Sequence, residues 1–81
     1  MKTYYIFDEN RHDVNCLVKA KNEKSALKKY SKGLMSAGFC EIVPDQKFKY
    51  ALMSSYGMHV TAIECHYPEQ MQNNRYLVTI E

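Results

Sequence analysis

The chain has no tryptophan, three glycines, two prolines and three cysteines in 81 residues, and each scarcity closes a class of function. Gly33, Gly38 and Gly57 stand too far apart to form a phosphate-cradling loop, which argues against ATP or dinucleotide binding. Cys16, Cys40 and Cys65 are an odd number at wide spacings. That pattern does not fit a secreted disulfide framework and points to a reducing, cytoplasmic setting. No apolar run approaches the ~18–20 residues needed to span a bilayer, so no membrane partner is expected. The start, MKTYYIFDEN, turns acidic too early for a signal peptide. The chain is expected to form one complete domain, residues 1–81, with no internal repeat and no linker.

Catalytic and metal-binding patterns are also scarce. There is no CxxC and no HxxxH. Cys65 and His66 are adjacent, so on a strand they point to opposite faces and cannot chelate one ion together. His12, His59 and His66 are scattered along the chain. Asp8, Glu9 and Asp13 cluster in one polar turn, while Asp45, Glu64 and Glu69 stand alone. The cysteines fall in apolar strand-like stretches, where a thiol usually serves as a small hydrophobe. No catalytic residue, metal or cofactor is expected.

Lysine is what the sequence does have. Lys19, Lys21, Lys24, Lys28, Lys29 and Lys32 are opposed only by Glu23, so residues 19–32 carry +5 by count. The whole chain is +2, which leaves −3 for the remainder. Asn22 is a candidate N-cap, since its side-chain oxygen can accept from the free N–H groups of a first turn. Ala26, Leu27, Tyr30 and Leu34 follow at spacings of three and four, one face of a helix that stops at Gly33 or before Gly38. Like-charged pairs three and four apart cost roughly 0.2–0.5 kcal/mol each. A lysine face of this kind either keeps the protein soluble or meets an anion, nucleic acid or an acidic protein surface. The two arginines, Arg11 and Arg75, lie far from it, and base readout favours arginine. Lysine alone suits non-specific attraction better.

Strands are expected at Thr3 to Phe7, Val14 to Ala20, Phe39 to Val43, Lys49 to Ser54, Met58 to His66 and Arg75 to Glu81, from their β-branched and aromatic content. In the second, Val14, Cys16 and Val18 share one face. Pro44-Asp45-Gln46 is expected to end the third strand, and Ser55-Tyr56-Gly57 to turn the chain with Gly57 at positive φ. The order is β-β-α-β-β-β-β. It predicts an α+β fold, an antiparallel sheet of five to six strands with one amphipathic helix on one face and the other face largely in water. Several of the seven tyrosines should then be exposed and available to an interface. A free sheet edge leaves a homodimer open.

The strand-first start MKTYYIF, the junction VKAKNEKSALKKY and a compact, strand-rich remainder without catalytic motifs resemble small phage-encoded inhibitors of bacterial defence, the anti-CRISPR proteins in particular. The resemblance is one of layout, and no family motif maps residue by residue. It implies a stoichiometric inhibitor, acting in the host cytoplasm, that blocks a nuclease complex by occupying its surface. The basic helix excludes DNA mimicry by that face. The expected partner is therefore a host protein or ribonucleoprotein complex, a CRISPR effector among them, met by Lys21, Lys24, Lys28, Lys29, Lys32 and Tyr56. The competing expectation is a small nucleic-acid-binding protein that uses the same lysines.

Overall fold

A computed structural model describes residues 1–10, 13–32, 40–55, 57, 59–66 and 78–80, with residues 13–15 and 78 as backbone alone. The elements follow the expected order: β1 (Lys2–Asp8), β2 (Asp13–Ala20), α1 (Glu23–Lys32), β3 (Cys40–Asp45), β4 (Lys49–Ser54), β5 (His59–Glu64) and β6 (Val78–Ile80). They build an α+β fold, one helix on a six-stranded sheet of spatial order β3-β4-β5-β1-β2-β6.

The sheet is mixed rather than wholly antiparallel. Its other neighbours pair antiparallel, but β6 lies parallel to β2, with Cys16 opposite Val78 and Val18 opposite Ile80. With β5 on one side of β1 and β2 on the other, β6 takes the outer side of β2, with β1 and β2 between it and β5. Antiparallel neighbours can be joined by a tight hairpin, whereas a return of this kind needs a crossover of about a dozen residues.

Helix α1 begins as its sequence requires. The Ser25 N–H donates to Asn22 Oδ1 at 2.9 Å, and the Ala26 N–H closes the first helical bond to the Asn22 carbonyl at 3.0 Å. Asn22→Ala should therefore cost about 1 kcal/mol. The measurement is a urea midpoint that falls with unchanged slope; an unmoved midpoint would show that the cap does no work in solution. Gly33, Leu34 and Gly38, named above as helix stops and as a core position, lie outside the described residues, as does the Met58 start of the fifth strand.

The core lies between α1 and one sheet face. Ala26 and Leu27 pack on Tyr4, Ile6, Cys16, Val18, Ala20, Leu52, Val60 and Ala62, with Tyr30, Ile42, Tyr50 and Ile80 at the rim. The two-residue alternation of β1 is visible in this, since Tyr4, Ile6 and Asp8 are buried while Thr3, Tyr5 and Phe7 are half-buried on the opposite face. Cys16 and Val18 share the core face as expected; the side chain of Val14 is outside the description. A register shift sits between Ile6, opposite Cys16, and Phe7, opposite Val14.

Two expectations are corrected. First, Pro44 does not end β3 but pairs within it, opposite Tyr50. Strand β3 is an edge, where a residue without an N–H is tolerated. The turn follows Asp45, whose Oδ2 accepts from the N–H groups of Lys47 at 3.0 Å and Phe48 at 2.8 Å. Second, the sheet's back face is not largely in water. Leu17, Ala51, Thr61 and Cys65 are buried there, flanked by half-buried Tyr5, Phe7 and Ile63. Of the tyrosines, Tyr4 is buried, Tyr5, Tyr30 and Tyr50 are half-buried, and Tyr56, Tyr67 and Tyr76 lie outside the described residues. Gly57 does take the expected positive φ, 83°.

Candidate functional site

Residues of an α-helix advance by about 100° each. Ala26, Leu27 and Tyr30 set the direction of the core, and Lys24, Lys28 and Lys32 then fall within about 80° of one another on the outward side. They rise in steps of four residues and span ~12 Å along the axis. All three are exposed, and so is Lys21 just before the cap. Among the described residues, none of these four ammonium groups is ion-paired. Lys24 has one contact, its Nζ standing 5.8 Å from the centre of the Tyr50 ring, within reach of a cation–π attraction.

Lys29 leaves this row. It is half-buried, and its Nζ donates to the Lys19 carbonyl at the end of β2. Tyr56 lies outside the described residues. The expected set thus resolves into an exposed row, Lys24, Lys28 and Lys32, with exposed Lys21 before it and one lysine held against the sheet. Glu23, the only acid of the segment, is turned to Lys49 on β4 at 3.9 Å and does not neutralise the row.

The cysteines lie in or beside the strands. All three are free thiols; Cys16 and Cys65 are buried and Cys40 is half-buried. Burial pushes the Cys16 thiol up to about 11. Native Cys16 should therefore alkylate slowly at pH 8, because the thiolate is the reactive form. The same shift sets a pH dependence. An unfolded thiol ionises near pH 9 while the folded one keeps its proton until about 11, so the native state binds more protons across that interval. Stability is fully present below pH 9 and falls by about 2–3 kcal/mol as pH rises through 11. Burial of the Tyr4 hydroxyl raises its pKa too and acts in the same direction. Urea midpoints that stay flat between pH 8.5 and 11 would contradict this burial.

A second cluster joins residues that sequence reasoning left scattered. His59 Nδ1 lies 2.7 Å from Glu9 Oε2, and His59 Nε2 lies 3.8 Å from Asp45 Oδ1. Glu9 follows β1, and its N–H donates to the His59 carbonyl at 3.1 Å, so the two are cross-strand neighbours. Asp45 is more distant in register. It opposes Lys49, whereas His59 opposes Met53. In a flat sheet two strands and four residues of offset would part the Cα atoms by roughly 16 Å. Twist shortens one diagonal of a sheet, and long side chains at the strand ends span the rest. Ala51, midway in register between the two, opposes both Val43 and Thr61 and is fully buried. No local spacing announces this cluster, because its three members come from three different strands or strand ends.

Among the described residues there is no pocket, and no helix is long and apolar enough to cross a membrane. Comparison with known proteins finds no family model, no curated protein and no solved structure that matches this chain.

Proposed function

We propose that the chain is a non-enzymatic, protein-binding inhibitor that lays the lysine row of α1 on an acidic surface of a macromolecular partner in the host cytoplasm. The observation that carries this reading is the row itself: Lys24, Lys28 and Lys32 are aligned on one stripe of α1, and they and Lys21 are exposed and without a carboxylate partner among the described residues. Such a row repels itself by a few tenths of a kcal/mol per neighbouring pair, and an acidic partner turns that repulsion into attraction and steers the encounter. The layout resemblance supplies the partner class, a nuclease complex of bacterial defence met by a phage or mobile-element protein.

Nucleic acid is the competing partner for the same lysines. The charge distribution favours a protein. Outside residues 19–32 the chain carries −3 by count, so a long polyanion running past the helix meets repulsion, whereas an acidic patch the size of one helix face does not. The test is fluorescence anisotropy with a labelled generic DNA duplex at low and near-physiological salt. No binding at near-physiological salt is expected. Tight binding whose log–log salt slope approaches about 0.9 per lysine contact would replace the protein partner with DNA.

A further inference from the structure

We propose that the gap between His59 Nε2 and Asp45 Oδ1 binds a divalent transition cation of the Zn2+ class, with Glu9 as the outer carboxylate. Each member has its outer atom fixed and its inner atom turned to the gap. Glu9 Oε2 holds His59 Nδ1 at 2.7 Å, which fixes the ring and leaves Nε2 as the ligand nitrogen. Asp45 Oδ2 is held by two backbone N–H groups, which leaves Oδ1 as the ligand oxygen. Metal-bound histidines and carboxylates are oriented in just this manner by second hydrogen bonds.

The 3.8 Å gap is too long for a hydrogen bond. It matches two ligand bonds of about 2.0–2.2 Å meeting at an open angle. The ligand atoms of Glu9, Asp45 and His59 all lie within 4.8 Å of one another; His59 Nε2 and Asp45 Oδ1 ligate the ion, Glu9 stays behind the imidazole, and water completes the coordination. An imidazole ligand beside carboxylates selects Zn2+ or a similar metal over Mg2+ and Ca2+.

Thr61 is a second and independent pointer. It lies two residues from His59 on the same face of β5 and opposite Ala51. Its side chain is fully buried, and Oγ1 has no hydrogen-bond partner among the described residues. A buried hydroxyl is seldom left so, and a water on a bound cation supplies the missing partner. The bound ion clamps the β3–β4 turn to β5 and to the end of β1.

Zn2+ titrated into the full, chelator-treated chain should bind with one equivalent and raise the melting temperature. His59→Gln and Asp45→Asn, which change the two direct ligands, should each weaken binding by about 100-fold or more, and Glu9→Gln by about 10–100-fold. His66→Ala, beside Glu64 on the exposed side, should change nothing. Co2+ as a second probe should show ligand-field bands without a sulfur charge-transfer band, which separates this site from the three thiols. Should His59→Gln fail to fold, the wild-type protein still decides: one equivalent of Zn2+ must shift the His59 ring resonances. No binding, a sulfur–cobalt band, or shifts confined to another histidine would each overturn the proposal.

Discussion

A chain carrying Lys24→Glu, Lys28→Glu and Lys32→Glu should keep its fold and lose the acidic partner proposed above. The three positions share the outward stripe of α1, and none contributes to the buried core. Their effect on stability is consequently small. One set of like-charged pairs replaces another, at a few tenths of a kcal/mol per pair, and the contact of Lys24 with the Tyr50 ring is lost at about 0.5–1 kcal/mol. At an acidic surface the change is much larger, because three attractions become three repulsions, and like charges brought together across an interface cost several kcal/mol. A loss of about 100-fold or more follows, since each 1.4 kcal/mol is tenfold. Binding is read by titration and folding by circular dichroism on the same samples. Lysine-to-glutamine substitutions at the three positions should fall in between. Undiminished binding by the reversed chain would move the interface to the back face of the sheet or to a loop.

Leu27→Ala should unfold much of the stability that holds this surface in place. Leu27 is fully buried at the centre of the contact between α1 and the sheet. Removing three carbons from such a site costs about 2–5 kcal/mol, because a cavity is left where the surroundings cannot collapse. A domain of this size has only about 5–10 kcal/mol to lose, and each kcal/mol shifts the melting temperature by about 4–8 °C. A fall of about 15 °C is expected. Since α1 presents the lysines, binding should weaken with temperature in parallel with unfolding. A cost below about 1 kcal/mol would mean that Leu27 does not seat against Ile6, Val18 and Val60 as described.

The parts of this fold that depend on local chemistry are legible in the sequence. The cap at Asn22, the core face of Ala26, Leu27 and Tyr30, the strand Lys49–Ser54 and the glycine turn at Gly57 all follow from neighbouring residues, and all are present. Features that depend on which strands meet are not legible. The parallel seat of β6 on the outer side of β2 depends on pairing with a strand about 60 residues earlier in the chain. The burial of Leu17 and Thr61 follows from their cross-strand neighbours, Tyr5 in one case and Phe7 and Ala51 in the other. Pro44 reads as a breaker from its own chemistry and becomes harmless only because β3 is an edge.

The candidate sites divide along the same line. The lysine row follows from helical periodicity, which the sequence carries, and the diversion of Lys29 to the Lys19 carbonyl does not. Glu9, Asp45 and His59 lie 36 and 14 residues apart in sequence and meet only through the pairing of the strands that carry them.

The most direct test of the account is a titration of a purified RNA-guided nuclease complex with the wild-type chain and with the Lys24, Lys28 and Lys32 charge-reversed chain, following cleavage of target DNA. The account predicts that cleavage falls to zero near one equivalent of the wild-type chain, as a stoichiometric blocker requires, and that the reversed chain leaves it intact. Full cleavage in excess wild-type chain, or equal inhibition by both chains, would contradict it.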